Sequence, residues 1–511
     1  MRRHTGFEVE AGSRVYVHQA FRCCPFAGMV TSQVHDYVEL NGYEVVTDPA
    51  IAQVHVINSC GSDAEQSQLT YDAIQRVRRA APDAPVVVTG CLASIEPKRL
   101  LAALSDAPHS ALLDTRAMDG LDELFVHDRS KFEQVQPSLR NQYSGTEFSA
   151  GWYHVGVSTG CFGKCTFCAI RQATGRPRSS SIAKVLADVD HGVQGGQRDV
   201  LLVSTDVSAW GADLGLTVVD LLRAVADYPG EALFSAEAFE PTLFLEHLDA
   251  LIPVLASGRF AFIGLPIQSG SQRILDQMRR PYRVGDVLDA VARLKRAAPD
   301  LVVRTDFMYG FGDETDDDFL ESVEVSRAFD IPSWNAYQER PGTARRLVGE
   351  DVLSARRAAV MEELRRRSHL GWPQIRRMAP LDADVPTEFS SRPVEDEQER
   401  PEIEAGYARW MADLAQRFSR VVARKGPVTL AAGWSLASAV VHEQQQAVLI
   451  TLRRGAASLD VGLRRADQPG SYMARSDRMA MWIVTPGLRL DEGQDRAVRA
   501  LMSTLGLAPG G

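Results

Sequence analysis

Four of the seven cysteines in this 511-residue chain stand just past three successive strand-like segments, and that placement restricts the fold more than any other feature. The segments read RVYVHQA, VHVINS and PVVVTG. Cys23 and Cys24 follow the first, Cys60 the second and Cys91 the third. Helical patterns at 30–41, 64–81 and 96–104 separate or follow them. Strands alternating with helices imply a parallel sheet covered on both faces. Ligands of such sheets gather beyond the carboxyl ends of the strands. Thiols from three distant stretches of sequence are therefore expected at one sheet edge.

A second alternating region runs from residue 154 to about 337. Its strand candidates are YHVGV, DVLLVS, ALFSA, FAFIG, LVVRTDFMY and SWNAY. This pattern predicts an open six-strand relative of the eight-fold barrel, with its chemistry at the strand carboxyl ends. Cys161, Cys165 and Cys168 fall in the loop after the first of these strands, spaced CxxxCxxC. A cubane iron–sulfur cluster normally takes four thiolates. Three close together leave one iron open, and an open iron can bind the amino and carboxylate groups of S-adenosylmethionine (SAM). A structural zinc site would want a fourth Cys or His nearby in a paired spacing, and none follows.

Composition narrows the class further. Hydrophobic residues make up 45% and charged residues 24%, with a net charge of −10. That balance suits a globular enzyme and lacks the basic excess of a protein gripping phosphates over a broad face. The N-terminal residues hold no signal-peptide stretch, and no run of about 18 apolar residues suggests a membrane span. A cytoplasmic location without membrane contact is the resulting expectation. Cysteines in such a chain read as metal ligands or redox groups rather than as a disulfide framework.

With these motifs in order, the chain resembles the methylthiotransferase family of radical SAM enzymes. The resemblance covers roughly residues 14–345. It rests on Cys24-Pro25, NSC ending at Cys60, TGC ending at Cys91, CFGKCTFCAI, GLPIQSGSQRILDQMRR, RTDFMYGFGDET and ERPGT. It implies two 4Fe-4S clusters, one binding SAM at Cys161, Cys165 and Cys168 and an auxiliary one at Cys24, Cys60 and Cys91. Cys23 is a rival for Cys24, whose following proline matches the family better. The resemblance also implies a mechanism in which SAM is used twice, once to methylate a sulfur at the auxiliary cluster and once to yield a 5′-deoxyadenosyl radical that removes a substrate hydrogen. Asp206 in STDVSAWG, Gln268 and Ser269 in LPIQSGS, and Arg304 and Asp306 in RTDF are candidate SAM contacts, with loop capping or a barrel ion pair as the competing reading. Glu314 reads as a helix-start acid.

The expected fold class is α/β. A parallel α/β sheet domain (1–127) leads through a linker (128–151) to a partial (βα)6 radical SAM barrel (152–345). A helix and an acidic, proline-bearing linker follow (346–401), then a small α+β domain with a possible recognition role (402–511). The sequence departs from the family at Arg171 and Thr174, where CxIPxxRG is common, at Gly264, and at Gly312-Asp313. The family's small terminal β-barrel pattern is missing. These departures and the acidic charge favour a peptide, protein or small-molecule substrate, with nucleic acid less favoured. A tRNA substrate, and an auxiliary cluster serving only electron transfer or substrate binding, are the alternatives. An external electron donor of flavodoxin or ferredoxin type would supply the reducing electron.

Overall fold

The three segments that carry cysteine at their ends lie side by side. In the computed structural model the N-terminal sheet consists of β1 (Arg2–His4), β2 (Arg14–Ala20), β3 (Glu44–Val45), β4 (Val54–Ser59), β5 (Val86–Gly90) and β6 (Ser110–Leu113). Their order across the sheet is β1-β6-β5-β4-β2-β3, and all neighbours are parallel except β1 with β6. The structure describes residues 2–4, 7–21, 24–107, 109–126, 128–139, 152–197, 199–367, 435–442, 447–454, 457–465 and 479–483. Met1–Ala358 form one compact unit and Ala359–Gly511 a second.

Strands β4 and β5 are buried along their whole length, as near-continuous apolar runs in a doubly covered sheet should be. On one face the helix Pro25–Leu40 packs Val34, Tyr37 and Val38 against Val15, Val17 and Val56. On the other, the helix Ala64–Ala80 packs Tyr71, Ile74 and Val77 against Ile57, Val86 and Val88. The winding direction reverses between β2 and β4. At such a reversal the adjoining helices leave to opposite faces, and a crevice opens at the strand ends. Cys24 and Cys60 follow those two strands.

The structure differs from the expectations at four places. The first helix begins at Pro25, not residue 30, because proline suits the first helical position and Cys24 supplies the cap. The helix expected at 96–104 is present as Pro97–Ala103, but a further short helix, Leu92–Ile95, precedes it directly after Cys91. The short strands β1, β3 and β6 are too brief to show an alternating pattern, and the sequence reading omits them. The proposed linker is also only partly a linker. Its Val135 is buried in the first core, and the Tyr153 hydroxyl donates to the Pro137 carbonyl at 3.1 Å. Residues 140–151 lie outside the described residues.

The second sheet holds β7 (Tyr153–Gly156), β10 (Asp199–Val203), β11 (Leu233–Ala236), β12 (Phe260–Gly264), β13 (Val302–Tyr309) and β14 (Ile331–Ala336), all parallel and adjacent in chain order. This is the open six-strand barrel expected from the pattern. Between its first two strands, β8 (Ser158–Thr159) and β9 (Arg178–Ser179) pair antiparallel and close the neck of the cysteine loop. The helix Glu350–Arg367 follows. Its Arg356 forms a buried ion pair with Glu314 at 2.5 Å, and Glu314 also accepts from the Gly310 amide. Glu314 is therefore an anchor for that helix. Thr315, not Glu314, caps the helix Asp316–Ser326.

In the second unit β15 (Ser435–His442), β16 (Ala447–Arg454), β17 (Ala457–Arg465) and β18 (Met479–Ile483) form an antiparallel sheet in chain order. The acidic, proline-bearing linker beyond residue 367 and the rest of the expected α+β domain (402–511) lie outside the described residues.

Candidate metal and cofactor site

Register explains how the N-terminal thiols meet. Ala20 pairs with Ser59, and Ser59 with Gly90, so Cys60 and Cys91 each sit one residue beyond the same cross-sheet row. The Cys91 amide donates to the Ser59 carbonyl at 3.2 Å. Gly90 makes this possible. It has a φ of 97°, and a β-carbon there would stand 2.2 Å from the Ser59 carbonyl oxygen. The same TGC wording precedes the barrel cysteines, where Gly160 has a φ of 89°.

Cys24 caps the helix Pro25–Leu40, and the Ala27 amide donates to its sulfur at 3.4 Å. The Cys60 thiol donates to Ser62 Oγ at 3.3 Å, and the neighbouring Cys24 sulfur together with burial pushes it well above the usual range. Burial, the nearby Cys60 and Cys168 sulfurs, and Asp114 push Cys91 up as well. Cys24, Cys60 and Cys91 thus share one site. Cys23 lies outside the described residues.

The barrel cysteines form the second group. Burial pushes Cys161 up to about 12, with Asp206 adding to the effect. The Gly163 amide donates to its sulfur at 3.1 Å. Burial also raises Cys165, partly offset by the charge of Arg280. Cys161, Cys165 and Cys168 line an open cleft with Phe167, Arg171, Thr205, Asp206, Ala238, Glu240, Pro266 and Arg280. The two groups adjoin, since Cys91 and Ile95 pack against Ala169 and Ala173 just past Cys168.

Of the candidate SAM contacts, Asp206 is at the cleft. It is buried, accepts from Ser208 Oγ at 2.5 Å and from Cys161 Sγ at 3.5 Å, and burial pushes its carboxyl up. Gln268 sits beyond β12 with a φ of 73°, a conformation that costs energy for a side chain. Its backbone is held by the Asp306 carbonyl at 2.7 Å and the Met308 amide at 2.8 Å. Ser269 is not brought to the cleft. It is fully buried, with its hydroxyl against Ser322 at 3.2 Å. Arg304 pairs with Glu237 at 2.7 Å and Asp306 at 3.1 Å, an ion-pair ladder across β11 and β13.

Sequence reasoning passed over Glu240 and Arg280, which form a buried ion pair at 2.9 Å within the cleft lining. Glu240 could have been found, because it lies just past the carboxyl end of β11, where barrel chemistry is placed. Arg280 had no such signal. It arrives from the end of the helix Gln272–Met278, through Arg279 in the left-handed conformation, and lies 5.4 Å over the Phe167 ring.

These thiols fit iron. Among the described residues six cysteines are free, and burial holds Cys60, Cys91, Cys161 and Cys165 in their protonated, unreactive range. A metal core replaces those protons and satisfies the sulfurs. Two triads of this kind, one at the mouth of a six-strand parallel barrel, define an iron–sulfur enzyme of the radical SAM class.

Comparison with known proteins agrees. Residues 155–325 match the family model described as Radical SAM superfamily, and residues 17–109 match that of Uncharacterized protein family UPF0004. A probable threonylcarbamoyladenosine tRNA methylthiotransferase of Archaeoglobus fulgidus is 30% identical, covering 57% of this chain and 69% of that protein. The ribosomal protein uS12 methylthiotransferase RimO of Alkalilimnicola ehrlichii is 29% identical, over 65% of this chain and 76% of that protein. The tRNA-2-methylthio-N(6)-dimethylallyladenosine synthase of Chloroflexus aurantiacus is 30% identical, over 64% and 70%. The chain belongs to the radical SAM methylthiotransferase family. It is an enzyme of that class, whose cofactors are SAM and two 4Fe-4S clusters. Among the described residues no helix is long and apolar enough to cross a membrane.

Proposed function

We propose that this enzyme replaces a hydrogen on an unactivated carbon with a methylthio group, and that the carbon belongs to a peptide, protein or small molecule. One observation supports the reaction above all others. Cys91, which neighbours Cys60, packs with Ile95 against Ala169 and Ala173 just past Cys168, so the two thiol groups adjoin. When bound, the clusters and SAM supply a radical that abstracts hydrogen and a sulfur that can be donated. The protein's share is placement. A substrate radical must meet its sulfur donor before it meets anything else, and fixed proximity achieves that. Asp206, Glu240 and Arg280 give the barrel cleft a polar wall able to orient the amino and carboxylate groups of SAM. Electrons would come from an external donor of flavodoxin or ferredoxin type.

The acidic chain, at net charge −10, favours a substrate other than RNA. A tRNA substrate is the second reading, favoured by the substrates named for the Archaeoglobus and Chloroflexus relatives. Anaerobic incubation with methyl-labelled SAM, dithionite, and separate RNA and protein-plus-metabolite fractions distinguishes them. Label is expected in protein, or in a metabolite other than SAM and the methionine released from it. Label confined to RNA would overturn the substrate class, and SAM cleavage with no sulfur gained in either fraction would overturn the reaction.

A further inference from the structure

The ERPGT segment has no residue in the cleft lining, yet with its two neighbours it bonds to the segments that follow Cys60 and Cys91 and to the loop and helix around Cys165 and Cys168. Resting on the two-cluster reading above, we infer that residues 338–344 are a clasp that sets the separation of the two clusters, with Arg340 as its positioning residue.

Toward the N-terminal sheet, the Arg340 guanidinium donates to Glu96 at 2.7 Å and to the Ser67 hydroxyl at 2.6 Å. Glu96 stands five residues after Cys91, and Ser67 seven residues after Cys60. Tyr71 and Arg99 donate to the second Glu96 oxygen at 2.7 Å and 3.2 Å, so this carboxylate is fully engaged. Gln338 accepts from the Ala64 amide at 2.8 Å, at the start of the helix that follows Cys60. Toward the barrel, the Ala344 amide donates to the carbonyl of Thr166, which lies between Cys165 and Cys168, at 2.8 Å. Gln172, four residues past Cys168, donates to the Pro341 carbonyl at 2.7 Å.

The letters of the motif follow from this task. Pro341 and Gly342 occupy the middle of a turn closed by the Thr343 amide on the Arg340 carbonyl at 3.0 Å. Gly342 has a φ of 79°, and a β-carbon there would stand 2.9 Å from the Gln172 amide nitrogen. Proline then glycine suits a turn that needs positive φ at its third residue. Thr343 accepts from the Arg340 amide at 2.9 Å and receives the Tyr337 hydroxyl at 2.9 Å, which fixes the direction in which Arg340 leaves the turn. Arg340 and Glu96 are both buried. A buried, hydrogen-bonded ion pair is weak evidence for stability but a precise spacer.

The test uses the full chain carrying both clusters. Iron is counted, and the magnetic interaction between the two clusters is read by electron paramagnetic resonance after dithionite reduction. Arg340→Met is expected to keep about eight irons, the content of two cubanes, while the interaction broadening is lost. Gln338→Ala, at an exposed contact, is expected to weaken the broadening without removing iron. A count of about four irons in the wild-type chain would sink the two-cluster reading itself. Wild-type broadening retained in Arg340→Met with both clusters present would overturn the clasp. If Arg340→Met does not fold, Gln338→Ala decides alone, and an unchanged spectrum there overturns it.

Discussion

Replacing Gly90 with alanine isolates the geometry that delivers Cys91. Gly90 has a φ of 97°, and its added β-carbon would fall 2.2 Å from the Ser59 carbonyl oxygen and 2.7 Å from the Asn58 side-chain oxygen. Two costs follow. Holding alanine at positive φ costs about 1–2 kcal/mol. Forcing a methyl into filled space costs about 1–3 kcal/mol more. The obstacle includes backbone of the neighbouring strand, so relief must come from moving the Gly90–Cys91 peptide away from β4. Gly258 is the control, since its φ is 79° with nothing within 4 Å of a β-carbon. Gly258→Ala should show only the first cost. Thermal unfolding of the cluster-free chain and iron analysis of the reconstituted chain are the assays. Gly90→Ala should unfold at clearly lower temperature than Gly258→Ala and bind about four irons in place of about eight. Equal unfolding midpoints and equal iron in the two variants would refute the reasoning.

Further outcomes follow from single contacts. Asp206→Ala should keep both clusters by iron assay but bind SAM roughly ten- to a hundredfold more weakly, the cost of one hydrogen bond to a charged group at about 1.5–3 kcal/mol. Burial alone would push the Asp318 carboxyl up, but donors from Arg273, Ser271 and Thr315 hold it well below the ordinary value of 3.8. The unfolded chain therefore binds the extra proton first on acidification. Asp318 contributes stability above that value and loses it as pH falls toward the folded one. Unfolding midpoints followed from about pH 5 to pH 2 should drop more steeply for the wild type than for Asp318→Asn.

Much of the fold was legible because its strands are apolar runs bounded by turn residues. All six barrel strands and the three cysteine-bearing strands can be read that way. β6 could not, since SALL is four residues long and shows no alternation. The start of the first helix was hidden because Pro25-Phe26-Ala27-Gly28 carries no helical periodicity, while the cap that begins it is a cysteine sulfur. The thiol triads were legible as spacing plus topology. Glu240 with Arg280 and Arg340 with Glu96 were not, because each pair joins residues 40 or more apart whose contact exists only after folding. Ser269 shows the opposite error. Its motif pointed to the cleft, but its hydroxyl turns to Ser322 and secures the loop to a helix.

Iron and sulfide analysis of two triple variants tests the account most directly. Replacing Cys24, Cys60 and Cys91 with alanine should leave about four irons, and so should replacing Cys161, Cys165 and Cys168, against about eight in the unaltered chain. Only the first variant should still cleave SAM. Iron that stays at the unaltered level when Cys24, Cys60 and Cys91 are gone would contradict the central claim.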